Sequence, residues 1–200
     1  MKIIVINLDR AVDRWDRLKD RAMATNCFDK MIRFSAIDKR DSEKVAELLK
    51  TYKVPCNSSC YLSHLKVLES FLESNDDFTC VLEDDAYIIN SGFSDIDSVC
   101  KDINISKDKF DIIYLSNRWR KNNKHEATSG CGTEAYIVSR KGATKMLKLL
   151  NPSNTCIDLK MGQLHHFNKS AQVYDKSLIA YVSKIQYIKH DDHGYSYLNK

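Results

Sequence analysis

Apolar positions along the chain fall into short solid runs and longer periodic stretches, in regular succession. Ile3-Ile4-Val5-Ile6 is a solid run closed by Asn7, Asp9 and Arg10, and it reads as a buried first strand over residues 2–7. Val12, Trp15, Leu18 and Ala22 then recur every three to four residues, which predicts a helix over 10–25. A second strand is expected over 31–37, ending at Asp38. A helix over 42–52 follows, with Val45, Leu48 and Leu49 on one face. After the turn at Pro55, Leu62, Leu65, Leu68 and Leu72 predict a helix over 60–74.

The second half repeats the rhythm. Residues 78–82 read as a strand, with Glu83-Asp84-Asp85 at its end and 87–89 as a short continuation. Helix is expected over 95–103, strand over 111–115, strand over 134–138 and helix over 140–150. Helix is expected again over 155–167, then weak strands at 172–174 and 178–182. Residues 117–129 are polar and basic without a period, so they read as a loop. Strands alternating with helices predict an α/β fold: a mostly parallel sheet with helices on both faces. With no repeat or linker, and only 2 prolines and 6 glycines, the 200 residues are expected to form a single domain.

Composition narrows the class without deciding the activity. Lys plus Arg is 31 against 27 for Asp plus Glu. That mild excess suits an anionic small ligand and gives no reason to expect nucleic acid. The opening apolar run is short of the roughly 7–15 residues of a secretory signal core, and no stretch nears the roughly 20 of a membrane span. The seven cysteines are scattered and form no CxxC pair, so free thiols and a cytoplasmic location are expected. Three Asn-X-Ser matches, at Asn57, Asn104 and Asn168, then read as chance.

Glu83-Asp84-Asp85 is the sharpest chemical feature. Adjacent carboxylates repel one another, and they become favourable beside a divalent cation, which Mg²⁺ or Mn²⁺ supplies by bridging carboxylates to phosphates. The other reading is a solvated acidic turn. In parallel sheets ligands bind beyond the carboxyl ends of the strands, which is where this triplet falls.

Five segments, in order, carry a resemblance. They are Ile4-Val5-Ile6-Asn7-Leu8-Asp9-Arg10 with Arg14; Phe34-Ser35-Ala36-Ile37-Asp38; Cys60-Tyr61-Leu62-Ser63-His64; Val81-Leu82-Glu83-Asp84-Asp85; and the run from Gly132-Thr133-Glu134 to Ala143. Asp158, after Pro152, matches a further acidic position. Together they span about residues 3–160 and resemble glycosyltransferase family 25, which acts on lipopolysaccharide, lipooligosaccharide and collagen.

The resemblance implies a GT-A-like, Rossmann-like domain that uses Mn²⁺ or Mg²⁺. It implies inverting transfer of galactose or glucose from a UDP-sugar to a hydroxyl on a glycan or protein. Asp85 becomes the main metal ligand, with Glu83 supporting it, and Glu83 or Asp84 near the ribose. Leu8, Asp9, Arg10, Arg14, Ala36 and Asp38 are expected at the nucleotide. Ser63, His64, Gly132 and Thr133 are expected at the donor. Asp158 is the candidate base, since inversion places the base opposite the leaving group.

Each assignment has a plainer counterpart. Arg10 and Arg14 also suit a charged helix face paired with Asp13 and Asp16. His64 also suits a role orienting the acidic motif. Asp158 also suits a helix cap. The basic loop at 118–125 would close over the donor or attract an anionic acceptor, with Trp119 stacked on a sugar, or else stay solvated. Among His165, His166, His190 and His193 as late metal ligands, His190 is preferred. Glu134 departs from the family pattern, where a small or apolar residue is usual. Two other functions stay open: a nucleotidyltransferase on a similar sheet, although no Gly-rich phosphate loop is present, and a non-catalytic glycan-binding relative.

Overall fold

The computed structural model describes residues 1–55, 59–165, 167–168, 173–174 and 178–191. Strand β1 (Lys2–Asn7) leads into helix α1 (Val12–Ala24), strand β2 (Met31–Ser35), and helices α2 (Ser42–Thr51) and α3 (Ser59–Glu73). Strands β3 (Phe78–Glu83) and β4 (Ala86–Ile88), helix α4 (Ile96–Asp102) and strand β5 (Ile112–Tyr114) follow. Next come the paired strands β6 (Trp119–Lys121) and β7 (Ala127–Gly130), strand β8 (Ala135–Ser139), and helices α5 (Arg140–Leu149) and α6 (Ile157–His165). The short strands β9 (Phe167–Asn168), β10 (Val173–Tyr174), β11 (Ala180–Val182) and β12 (Ile188–His190) complete the described elements.

Six strands form the central sheet in the order β11-β5-β8-β3-β1-β2. All neighbours run parallel except β8, which is antiparallel to both β3 and β5. The sheet is therefore mostly parallel, as the sequence rhythm implies, with one reversed strand. Alternation along β1 sorts its side chains to opposite faces. Ile4 and Ile6 join Leu62, Leu65 and Leu68 of α3, Met146 of α5 and Met161 of α6. Ile3 and Val5 join Leu18 and Ala22 of α1 and Val99 of α4. Helices thus cover both faces, and this Rossmann-like α/β layering explains why β1 reads as a solid apolar run.

Three local expectations change. Val12 is exposed, so the buried stripe of α1 runs through Leu18 and Ala22. Residues 117–129 are not a loop: β6 and β7 pair as an antiparallel hairpin. The Asn122 side chain closes its turn by accepting from the Lys124 and Glu126 amides, and His125 takes a left-handed backbone. Arg120, Asn123, Lys124, Glu126 and Thr128 face solvent, which removes the apolar alternation that would have announced the hairpin. Finally, Ile188–His190 forms a strand, β12, paired antiparallel with β4.

Six cysteines are free thiols, and Cys56 lies outside the described residues, as do His166 and His193. Among the described residues no helix is long and apolar enough to cross a membrane.

Gly142 shows how tightly α5 meets the sheet. A Cβ there would overlap the Asp111 carbonyl at the start of β5. Ser139 caps the same turn, accepting from the Gly142 amide at 3.0 Å and donating to the Phe110 carbonyl at 3.0 Å. Alanine in an open helix would gain up to about 1 kcal/mol over glycine, but overpacking against backbone costs about 1–3 kcal/mol and wins here. Gly142→Ala should lower the melting temperature by several degrees in a thermal unfolding scan; an unchanged melting temperature would refute this packing.

Candidate active site

The ends of β1, β3 and β5 and the beginning of β8 share one edge of the sheet, because β8 runs the opposite way. Reversal of β8 therefore delivers Gly132-Thr133-Glu134 beside Glu83, whose amide donates to the Glu134 carbonyl at 2.9 Å. The turn after β3 carries Asp84 and Asp85 into β4. Strand β12, hydrogen-bonded to β4, places His190 opposite Ala86 and so next to Asp85.

Each carboxylate of the triplet has its own surroundings. Glu83 Oε1 accepts from the Thr133 hydroxyl at 2.5 Å and lies 3.3 Å from His64 Nε2. Burial works to raise the Glu83 pKa, but the bonds and charge of His64, the Thr133 bond and nearby His190 outweigh it and hold the carboxyl below its usual range. Asp84 accepts from Arg14 at 2.5 Å and from the Asn7 amide at 2.8 Å. Burial nevertheless pushes it up to about 6; Arg14 and Asn7 oppose the rise, and the charges of Asp85 and Glu83 add to it.

Asp85 Oδ2 lies 3.4 Å from His190 Nε2 and 3.7 Å from Arg14. Asp85 Oδ1 is buried with no hydrogen-bond partner among the described residues. A buried carboxylate oxygen without a donor is costly, and a cation is the natural partner for it. Glu83 and Asp85 offer carboxylate oxygens of the kind that Mn²⁺ or Mg²⁺ prefers, with His190 beside Asp85, so the donor chemistry of the two carboxylates fits such an ion.

Helix α1 braces this edge. Arg14 and Arg21 stand seven residues apart on one face of it. Arg14 holds Asp84, while Arg21 pairs with Asp191 at 2.9 Å, just past β12, and sits over the Tyr87 ring.

A cavity of about 290 Å³ opens beside the triplet. Glu83, Asp85, Arg118, Glu134, Asp158 and His190 are among the residues that line it. Burial raises the Glu134 carboxyl, partly offset by its bonds to Ser116 at 2.6 Å and Arg118 at 3.5 Å. Asp158 sits in the first turn of α6, where Oδ1 accepts from the Leu159 amide at 2.9 Å.

Residues 1–161 match the pattern of glycosyltransferase family 25 (LPS biosynthesis protein). The chain belongs to this family. It is 25% identical over 173 residues to procollagen galactosyltransferase 1-B of Xenopus laevis, covering 73% of this chain and 28% of that one. The chain thus spans well under a third of that relative's length.

Among solved structures it is similar to the inositol-1-phosphate CTP transferase from T. maritima, with TM-score 0.48, 13% identity, and 91% and 84% of the two chains covered. It is also similar to HddC from Yersinia pseudotuberculosis complexed with GMP-PN (TM-score 0.44, 9% identity, 95% and 93% covered). The galactosyltransferase LgtC in complex with donor and acceptor sugar analogs gives TM-score 0.37 and 10% identity, with 73% and 62% covered.

The residues expected at the site fall into two groups that meet at Asp84 and Asp85. Glu83, Asp85, Gly132, Thr133, Asp158 and His190 line the cavity. Leu8, Asp9, Arg10, Ala36 and Asp38 form a shelf at the ends of β1 and β2. Ser35 there donates to Asp9 at 2.6 Å, and the Ala36 amide donates to the Asn7 carbonyl. Arg10 pairs with Asp38 at 2.6 Å, Arg14 pairs with Asp84, and Asp13 pairs with Arg17. Burial would raise Asp38, but Arg10 and the Arg40 amide hold it below the usual range.

Ser63 is buried away from the cavity. Its hydroxyl accepts from the Ile37 amide at 2.8 Å and donates to the Ser59 carbonyl at 2.7 Å, and so supports the shelf. His64 is fully buried between Tyr136 and Glu83 and orients the acidic motif. Trp119 does not offer its face to a sugar. It is buried, stacked on Tyr114 at 4.1 Å, and its Nε1 donates to the Gly132 carbonyl at 2.9 Å. Ile157 anchors α6, but Leu159 is exposed, because the segment is helical and buries Met161 and Leu164 instead.

Two residues missed from the sequence matter here. Asn7 is fully buried; it donates to Asp84 and to the Ala11 carbonyl and accepts from Arg33 at 2.7 Å. Its signal was the one amide closing an otherwise apolar strand. Arg33 extends the network to the Leu8 and Asp9 carbonyls.

Trp119→Phe keeps a ring against Tyr114 but leaves the buried Gly132 carbonyl without its donor. An orphaned buried acceptor costs about 1–3 kcal/mol. Urea unfolding should show a loss in that range, and a variant as stable as wild type would contradict the inward placement of Trp119.

Proposed function

We propose that the chain transfers a hexose, galactose or glucose, from a UDP-sugar to a hydroxyl of a glycan or protein acceptor, with inversion and with Mn²⁺ or Mg²⁺. The observation that carries this reading is the buried Oδ1 of Asp85, which has no donor among the described residues, on a cavity that Glu83, His190 and Asp158 also line. A divalent ion bound by Asp85, Glu83 and His190 would neutralise charge on the departing diphosphate.

The chain's own groups account for the remaining steps. The shelf of Leu8, Asp9, Arg10, Ala36 and Asp38 seats the nucleoside, and Asn7 and Arg14 fix Asp84 at its border. Gly132 has φ +112 and carries no side chain, so backbone can approach the donor sugar while Thr133 steadies Glu83. Asp158 takes the proton of the acceptor hydroxyl as that oxygen bonds to the anomeric carbon and the bond to the diphosphate breaks. Acceptors of the two kinds named among the relatives, a lipopolysaccharide sugar and procollagen, are the first to try. Free thiols at all seven cysteines would support a cytoplasmic location, and a disulfide found by non-reducing thiol titration would oppose it.

Incubation with UDP-galactose or UDP-glucose and Mn²⁺ should raise the melting temperature and release UDP. Release of the sugar 1-phosphate would point instead to nucleotidyl transfer, and no shift with any nucleotide sugar at millimolar concentration would remove the transferase reading.

Asp85→Ala should abolish metal-dependent turnover with the fold intact; near-normal turnover would place the metal elsewhere. Asp158→Asn should bind donor normally and lose at least about 100-fold in transfer, since an amide can still cap but cannot accept the proton. Near-normal transfer by that variant would reassign the base.

A further inference from the structure

Cys60 and His64 stand four residues apart at the start of α3, so their side chains leave the same helix face. Glu83 reaches that face from the end of β3. The Cys60 thiol, a His64 ring nitrogen and a Glu83 carboxylate oxygen all lie within 4.8 Å of one another. The nitrogen facing Glu83 is Nε2, at 3.3 Å, because Nδ1 meets the Tyr136 hydroxyl at 2.9 Å.

That hydroxyl both donates and accepts, so it can hold either tautomer of His64. With the proton on Nδ1, Nε2 presents a lone pair toward Cys60 and Glu83. A hydrogen-bonded outer partner of this kind is what fixes a ligating histidine. Cys60 and Glu83 both line the 290 Å³ cavity, which supplies an entry path and leaves room for a fourth, exchangeable ligand.

The donors differ in kind from those around Asp85. Oxygen-rich sites suit Mg²⁺ and Mn²⁺, whereas a set of one sulfur, one imidazole and one carboxylate suits Zn²⁺. Bonds of about 2.0–2.3 Å place tetrahedral zinc donors of this set about 3.3–3.6 Å apart, so the three atoms need close by about 1.5 Å at most.

We propose that Cys60, His64 and Glu83 form a zinc-class site that shares Glu83 with the Asp85 site. On binding, a zinc–sulfur bond forms, the thiol proton passes to solvent, and nothing is oxidised. Zinc held there keeps Glu83 from supporting an ion at Asp85, so zinc antagonises Mn²⁺-dependent turnover. That last consequence rests on the transferase reading; zinc binding itself does not.

The test uses the full chain as wild type, Cys60→Ser, Cys60→Ala, Cys156→Ser and Asp85→Ala. Zn²⁺ is titrated against a chromophoric chelator, and Co²⁺ spectra are recorded in parallel. Wild type, Cys156→Ser and Asp85→Ala should each bind one tight equivalent and give a thiolate-to-cobalt charge-transfer band. Both Cys60 variants should lose that band and weaken zinc binding at least about tenfold, since even an outer partner of a ligand is worth that much. Two substitutions of different size guard against one that fails to fold, with the metal-free melting temperature as the check.

Unchanged zinc affinity in a folded Cys60 variant, or loss of the band on Cys156→Ser instead, overturns the site. Zinc that binds as expected without slowing Mn²⁺-dependent turnover overturns the antagonism through Glu83. Absence of any Mn²⁺-dependent turnover removes the transferase reading while leaving zinc binding measurable.

Discussion

Three carboxylates leave one strand end within three residues, and each is compensated from a different part of the chain. Glu83 is met by α3 through His64 and by the segment before β8 through Thr133. Asp84 is met by α1 through Arg14 and by β1 through Asn7. Asp85 is met by β12 through His190 and keeps one buried oxygen without a donor among the described residues. Mutual repulsion would scatter such a cluster in water. Holding it together requires that five elements arrive at one edge of the sheet, and this requirement accounts for much of the topology.

The reversed strand β8 is the clearest case. A parallel strand in that place would begin at the far edge, with Gly132-Thr133-Glu134 distant from Glu83. Running antiparallel, β8 starts where β3 ends, in the register Leu82 opposite Ala135. The short β4–β12 pair acts similarly on the other flank. It is too small to stabilise a fold on its own, and α1 secures it through Arg21, Asp191 and Tyr87.

Solid and periodic apolar runs announced the sheet and its helices, because burial on one face or two leaves a signal in every residue. The acidic triplet and its frame were legible for a different reason: charge density at a strand end is rare and demands a partner. The β6–β7 hairpin was not legible, since its exposed residues are polar and its stability comes from the Asn122 turn and the buried Trp119. Trp119 looked like a sugar platform because indole suits both roles, and only the Gly132 carbonyl decides between them. The pairing of Cys60 with His64 was also hidden. Zinc motifs are sought as clustered cysteines, whereas here one donor lies a helical turn from another and the third comes from a strand nineteen residues on.

Glu134 stands where a small or apolar residue is expected from the sequence, and its surroundings accommodate a carboxylate. Its side chain is almost fully buried, which costs an unpaired carboxylate several kcal/mol, of order the penalty for a buried ion. Ser116 and Arg118 offset that cost, and Arg118 comes from the stretch leading into the hairpin. Gly132 is shaped by the same pair, because a Cβ there would overlap the Glu134 carboxylate and crowd Arg118. One acidic residue therefore fixes an arginine and a glycine that line the cavity, together with the buried Ser116. A small apolar residue at 134 would leave Arg118 free to turn outward and Ser116 without its acceptor, and the wall would be wider and less polar. Glu134 thus sets the charge and width of this part of the cavity.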